Sequence, residues 1–210
     1  MNRHSDIFGQ EKRRIPHVCG VIGLGRNYLS NSTFDAYLDI ETTGLSPVCN
    51  EITVIGICLV NGSDCRLVQL VGEQVTLENL VQALNRVHTI YTYNGRRFDL
   101  PFIRACLDVD LAEMHNHRDL MYDCWHKNLY GGFKAVEAQL GIPRKLKGIN
   151  GYDAVMLWRR FQQHGDRAAL ALLLEYNRED VMNLKILREK LLRISKYLEY
   201  YEGLNGLLST

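Results

Sequence analysis

The chain has 210 residues, of which 46% are hydrophobic and 23% are charged, and its formal net charge at pH 7 is +1. This length suits one well-buried α/β domain and is short for two. A net charge so close to zero argues against a protein that coats long nucleic acid through its charge alone, but it is compatible with a local basic groove. The chain has neither a long apolar run nor a signal-peptide pattern, which predicts a soluble, cytoplasmic protein without a membrane segment.

The predicted elements start with strands and finish with helices. In chain order, the patterns predict strands at 34–41, 51–60 and 65–71, a helix at 76–87, a strand at 89–93, a helix at 99–107, a strand at 117–122 and helices at 133–140, 152–163 and 167–201. Asn61-Gly62 is typical of a hairpin turn, so the second and third strands should be antiparallel. This order indicates a mixed sheet covered by helices, with the first strand in the centre.

The domain organisation follows from these elements. Residues 33–202 are expected to form one domain. Residues 1–32 are polar and mixed, and they predict a partly flexible N-terminal arm. Residues 203–210 are interpreted as a C-terminal tail.

Two acidic residues lie at the end of the first predicted strand. Asp39 and Glu41 are separated by one residue, so their side chains point to the same side of an extended backbone. Two like charges at the end of a buried strand are costly unless a cation lies between them. Hard carboxylate ligands select Mg²⁺ or Mn²⁺. The pair therefore predicts a divalent metal site whose other ligands come from elsewhere in the chain.

Two further acids are candidates for the same site, and each has a simpler explanation. Asp99 follows a sharp turn and could be an ordinary helix N-cap. Asp180 lies four residues after Tyr176, on the same helix face and beside an apolar stripe. It could equally be an exposed acid at a helix end. Glu175 and Glu179 are interpreted as solvated helix charges.

Three motifs in order resemble those of the DEDD (DnaQ-like) 3′–5′ exonucleases. Asp39-x-Glu41, followed by Thr-Thr-Gly, resembles the first motif, and Asn94-Gly-Arg-Arg-Phe-Asp99 resembles the second. Tyr176-x-x-x-Asp180 resembles the third in its tyrosine form, called DEDDy. The wider sequence over 34–190 is similar to the YprB-like branch of the ribonuclease H-like proteins.

This resemblance implies an α/β ribonuclease H-like fold, a five-stranded mixed sheet flanked by α-helices. It implies that four carboxylates hold two divalent cations, Mg²⁺ or Mn²⁺, and that a tyrosine completes the catalytic set. The metal ligands would be Asp39, Glu41, Asp99 and Asp180, and the tyrosine would be Tyr176. The implied activity is hydrolysis of phosphodiester bonds at the 3′ end of single-stranded DNA or RNA by a two-metal-ion mechanism.

The resemblance also suggests residues that bind the substrate. Thr42, Thr43 and Leu45 match the loop that contacts the terminal nucleotide, and Leu45 could wedge against the terminal base. Asn94 could contact the substrate backbone. The alternative for all four is that they only turn the chain. The basic run 143–147 is compatible with either a phosphate guide or a solvated surface.

Two other classes of function stay open from the residues alone. One is a catalytically silent nucleic-acid-binding or scaffold module on the same fold. The other is a structural domain whose acids are helix caps and surface charges. The intact set of four carboxylates favours the enzyme, because a binding module has no need for mutually repelling acids. The sequence predicts neither a DNA or RNA preference nor protein partners.

Overall fold

The computed structural model of the chain describes residues 33–208, and the N-terminal arm predicted at 1–32 lies outside the described residues. The strands are β1 (Phe34–Thr42), β2 (Ile52–Asn61), β3 (Asp64–Val71), β4 (Val87–Thr92) and β5 (Asn116–Asp119). The helices are α1 (Leu77–Ala83), α2 (Asp99–Leu107), α3 (Leu111–Met114), α4 (Leu120–Trp125), α5 (Phe133–Gln139), α6 (Gly151–His164) and α7 (Arg167–Leu208).

The five strands form one mixed sheet in the order β3-β2-β1-β4-β5. β1 is antiparallel to β2 and parallel to β4, and β4 is parallel to β5. β1 is therefore the central strand, and its C-terminal end lies beside the C-terminal end of β4. This arrangement confirms the predicted fold class, an α/β ribonuclease H-like fold with a five-stranded mixed sheet flanked by helices.

Both faces of the sheet are covered, and the side chains of β1 alternate between the two resulting cores. Ala36, Leu38 and Ile40 are buried in a cluster that includes residues of α1 and α2. Tyr37 is buried on the other face, in a cluster that includes residues of α4, α5 and α7. Asp39 and Glu41 share the face of Tyr37 by the same alternation. The sheet therefore directs both acids towards α7.

The structure corrects one predicted strand, shortens the helix predicted at 76–87 to Leu77–Ala83, since Val87 already belongs to β4, and lengthens another helix. The strand predicted at 117–122 ends at Asp119, because the Asp119 carboxylate accepts a hydrogen bond from the Met121 N–H and caps α4. The apolar residues after Asp119 are helical and not extended. α7 runs to Leu208 and so includes residues 203–208 of the segment interpreted as a C-terminal tail.

Within residues 33–208, none of the helices combines the length and the apolar character that crossing a bilayer requires.

Candidate active site

The first two acids are presented by the C-terminal end of β1. Asp39 lies opposite Gly56 of β2, and Glu41 lies opposite Val54. The register between β1 and β2 shifts directly after Glu41. Irregularities of this kind bend a strand and end its regular pairing. The strand therefore stops just where its acidic side chains emerge.

Three of the four predicted carboxylates form one compact cluster. Each of Asp39, Glu41 and Asp180 offers an oxygen that lies within 4.8 Å of the others. Asp180 comes from the interior of α7 and is 6% exposed, so it is not an exposed acid at a helix end. The cluster joins residues that are about 140 positions apart in the chain, and it contains three of the four acids predicted to bind metal.

The fourth carboxylate, Asp99, lies next to this cluster. It is buried at the start of α2, and its Oδ1 accepts a hydrogen bond of 3.1 Å from the backbone N–H of Ile40, between the two acids of β1. Phe98 is the N-cap of α2, so the simpler interpretation of Asp99 as the N-cap residue is not what the structure has. Asp99 thus braces β1 while adding a fourth negative charge.

A tight turn between β4 and α2 places Asp99. Asn94 has a φ of +63°, and a Cβ on Gly95 would lie 2.3 Å from the Thr92 hydroxyl oxygen. Glycine is therefore required at this close approach. The Asp119 carboxylate accepts hydrogen bonds from the N–H groups of Asn94 and Arg96, at 2.8 and 3.0 Å. Asp119 acts as a structural brace of this turn.

Burial raises the pKa of every member of the acidic set. For Asp39 and Glu41, the loss of solvent raises the pKa well above its usual range, and the negative charge of Asp180 adds to the effect. Burial also raises the pKa of Asp99 to about 7 and that of Asp180 to about 6. Such a set favours binding of protons or of a cation.

One oxygen in the cluster has no partner. Among the described residues, Oε1 of Glu41 is buried without a hydrogen bond. A buried carboxylate oxygen without a hydrogen bond destabilises an ordinary protein core, whereas it is expected where an ion would bind. Together with the adjacent oxygens of Asp39 and Asp180, it makes an all-oxygen donor set that fits Mg²⁺ or Mn²⁺.

Asn177 of α7 fixes Asp39, and no sequence motif predicts this role. Its Nδ2 donates to the backbone oxygen and to Oδ2 of Asp39, both at 3.3 Å. Gln69 of β3 in turn donates to Oδ1 of Asn177 at 3.0 Å. A Cβ on Gly56 would lie 2.1 Å from that oxygen, so only glycine leaves room for Asn177. No spacing rule reveals this contact.

Arg144 is a second residue whose place was not predicted. The basic run 143–147 was interpreted as a phosphate guide or a solvated surface, yet the Arg144 side chain is only 10% exposed. It forms two hydrogen bonds with Glu137, at 2.9 and 2.8 Å, and one with Oδ1 of Asp180. Lys145 and Lys147 are exposed. Arg144 therefore belongs to the acidic site and not to the surface.

Glu179 corrects another expectation. It was interpreted as a solvated helix charge, but it is 8% exposed. Its carboxylate accepts hydrogen bonds from the backbone N–H groups of Lys145 and Leu146. Glu179 therefore anchors the segment that carries Arg144. Glu175, by contrast, is partly exposed and pairs with Arg178 at 3.2 Å.

A cleft of about 340 Å³ opens beside the cluster. Asp39, Tyr176 and Asp180 line it from one side, and Phe133 and Lys134 of α5 line it from the other. The Lys134 ammonium lies 4.6 Å from the centre of the Tyr176 ring. Burial lowers the pKa of Lys134, while the charge of Asp180 opposes that change. Asp39 and Asp180 are therefore accessible from this cleft.

The residues proposed to bind the substrate have local partners. The Thr42 hydroxyl donates to the Gly44 oxygen at 2.6 Å, and the Thr43 hydroxyl accepts from the Glu51 N–H at 3.1 Å. Both bonds stabilise the turn after β1. Leu45 is 86% exposed beyond that turn. A substrate role for Thr42, Thr43, Leu45 and Asn94 stays a prediction.

A family model of the RNase H superfamily matches residues 36–192. The chain belongs to the RNase H superfamily. The match covers most of β1 and most of α7, and it includes every acid of the cluster. No curated protein sequence matches the chain significantly.

Solved structures show the same superfamily fold. The family B DNA polymerase of the archaeon Pyrobaculum calidifontis superposes with a TM-score of 0.58 at 16% identity, over 76% of this chain and 24% of the polymerase. A nuclease in its apo form superposes with a TM-score of 0.51 at 22% identity, over 83% of this chain and 80% of that protein. The chain thus spans about a quarter of the polymerase. At these identities the likeness concerns the fold.

Proposed function

We propose that this protein is a metal-dependent 3′–5′ exonuclease that hydrolyses phosphodiester bonds at the 3′ end of single-stranded DNA or RNA. The observation that carries the proposal is the cluster of Asp39, Glu41 and Asp180, whose oxygens lie within 4.8 Å of one another beside an open cleft. A structural domain gains nothing from burying mutually repelling acids.

The order of the motifs supports the exonuclease class. Each of the three motifs contributes at least one side chain at or next to the cluster; the motifs are Asp39-x-Glu41, Asn94 to Asp99, and Tyr176-x-x-x-Asp180. We assign the chain to the DEDDy type and to the YprB-like branch on these motifs. The 3′–5′ direction rests on the same resemblance, whereas the metal site rests on the carboxylates themselves.

The acids would hold two divalent cations, with Asp39, Glu41 and Asp180 as ligands and Asp99 beside them. When bound, such cations lower the pKa of a water molecule and stabilise the charge on the leaving oxygen. The chain itself supplies the fixed frame. Asn177 holds Asp39, and the Ile40 N–H holds Asp99, so the donor oxygens are oriented before a cation arrives.

Tyr176 would orient the attacking water and would not remove its proton. Burial raises the pKa of Tyr176 above its ordinary value, and the charges of Asp180 and Glu41 raise it further. The phenol is therefore protonated at neutral pH and can donate a hydrogen bond. Lys134 lies against the same ring, where its charge would favour a phosphate group in the cleft.

The turn after β1 would receive the terminal nucleotide. Thr42 and Thr43 fix this turn, and Leu45 extends from it into solvent. An exposed leucine next to the acids is suited to pack against an unstacked terminal base. Asn94, in the turn before α2, would contact the substrate backbone on the other side of the acids.

The test is a cleavage assay with DNA and RNA oligonucleotides that are labelled at the 3′ or the 5′ end, in Mg²⁺ or Mn²⁺. We expect stepwise loss of nucleotides from the 3′ end and none in EDTA. Asp39→Ala should abolish the activity. Asp35→Ala is the matched control, because Asp35 lies on the same strand and, within residues 33–208, its one ion pair is with the partly exposed Arg188. Activity that persists in Asp39→Ala would refute the mechanism.

A further inference from the structure

A buried chain of polar side chains leads from the core to the metal site. Asn183 of α7 donates to Glu137 of α5 at 2.7 Å, and Glu137 accepts two hydrogen bonds from Arg144. Arg144 then donates to Oδ1 of Asp180. The Glu137 side chain is 3% exposed and that of Asp180 is 8% exposed. Four residues from three segments thus form one connected series.

The plane of the Arg144 guanidinium is fixed from several directions. Its carbon lies 5.8 Å from the centre of the Tyr176 ring and 5.9 Å from that of Phe133. The two bonds with Glu137 match the planar fork of an arginine, which a lysine cannot reproduce. Its Nη1 lies 3.8 Å from Glu179, which is also buried. The guanidinium therefore has little freedom to rotate.

This arrangement is poorly explained by stability. Removing charges from water costs about as much as a buried ion pair returns, and apolar replacements are often as stable. Buried ion pairs are better explained by the orientation that they impose on the side chains involved. Carboxylates that bind metals are commonly held by such outer hydrogen bonds.

We infer that Arg144 is a positioning residue, which holds Asp180 through Oδ1 and leaves Oδ2 for a metal ion. Glu137 and Asn183 position the guanidinium. This inference rests on the proposed function, because the ion concerned is the proposed catalytic one. It changes the interpretation of the 143–147 run, whose one buried member serves the metal site and not the substrate phosphates.

The test measures Mn²⁺ affinity by calorimetric titration without substrate, for the wild type, Arg144→Met, Arg144→Lys and Glu137→Gln. Arg144→Met should weaken Mn²⁺ binding by about 10- to 100-fold. Arg144→Lys keeps the charge but loses the fork and should lie between Arg144→Met and the wild type. Glu137→Gln loses one of two acceptor oxygens and should show a smaller loss.

The matched control is Arg178→Met, which removes an arginine two residues from Asp180 on α7. The Arg178 side chain is 40% exposed and, within residues 33–208, its one ion pair is with the partly exposed Glu175. Its replacement should leave Mn²⁺ affinity unchanged. Circular dichroism and thermal melting establish that each variant is folded before its affinity is compared.

A purely structural role predicts a different result. In that case Arg144→Lys and Glu137→Gln would melt at a lower temperature and the folded proteins would bind Mn²⁺ like the wild type, which would overturn the inference. If Arg144→Met fails to fold, the two milder variants decide. The affinities are measured without nucleic acid, so a wild type that binds Mn²⁺ but cleaves nothing refutes the proposed function and leaves this comparison intact.

Discussion

Asp99→Asn tests whether the acidic set destabilises the protein when no metal is bound. Burial is the main cause that raises the pKa of Asp99 from 3.8 to about 7. Because the folded-state pKa exceeds the unfolded one, the folded state holds an extra proton between these values, and stability falls as pH rises through this window. About three pH units, at about 1.4 kcal/mol each, make ionised Asp99 cost about 4 kcal/mol at pH 8.

The substitution removes this charge and keeps the hydrogen bond, since an asparagine oxygen can also accept from the Ile40 N–H. In EDTA at pH 8, Asp99→Asn should melt about 8 to 16 °C above the wild type, at about 2 to 4 °C per kcal/mol. At pH 5 the difference should fall to less than half, because Asp99 is then mostly protonated in the folded wild type. Mn²⁺ should reduce the difference in melting temperature, because it should stabilise the wild type more than the variant.

Asp119→Asn is the control, because Asp119 is also a buried aspartate. Its carboxylate accepts from the N–H groups of Asn94, Arg96 and Met121, which is more than one amide oxygen can satisfy with the same geometry. This variant should lose about 1 to 3 kcal/mol at pH 5 and at pH 8 alike. An Asp99→Asn protein that melts below the wild type at pH 8 in EDTA would refute the reasoning that the buried charge of Asp99 destabilises the folded state.

Three further substitutions test other parts of the site. Tyr176→Phe should lower kcat less than Asp39→Ala does, because burial raises the pKa of Tyr176 and keeps the phenol from acting as a base; equal losses with Mn²⁺ binding intact would contradict this. Gly56→Ala should displace Asn177, which should lower the free energy of unfolding by about 1 to 3 kcal/mol in a melting experiment and weaken Mn²⁺ binding in a titration. An unchanged Mn²⁺ affinity would mean that Asn177 does not hold Asp39 for the metal. Leu45→Ala should change stability by less than about 0.5 kcal/mol and raise KM for oligonucleotides, and an unchanged KM would remove Leu45 from the substrate site.

The sheet was predictable because its signals are local. The β-branched run that forms β2, the hairpin turn at Asn61-Gly62 and the apolar spacing of α1 each depend on neighbouring residues. The end of β5 was not predictable in the same way. The apolar residues after Asp119 suit a strand as well as a helix, and the cap that decides between them is a single hydrogen bond.

The site was predictable only where its residues form linear motifs. Asp39 and Glu41 are one residue apart on a strand, and Tyr176 and Asp180 are four apart on a helix. Arg144 reaches Asp180 from a different segment, and the sequence around it reads as a basic surface run. Glu137 does carry a sequence signal. It lies at helical spacing beside the inward-facing Phe133 and Val136, which indicates a buried acid that needs a partner of opposite charge.

The hydrogen-bond donors to three of the four acids explain how repelling charges stay in place before a cation binds. Asn177 donates to Asp39, the Ile40 N–H donates to Asp99, and Arg144 donates to Asp180. Each of these donors occupies one oxygen of its carboxylate, so the other is free to turn towards the cluster. The fold thus offsets part of the repulsion without neutralising the site, because a site that was fully neutralised by protein donors would have no remaining affinity for a divalent ion.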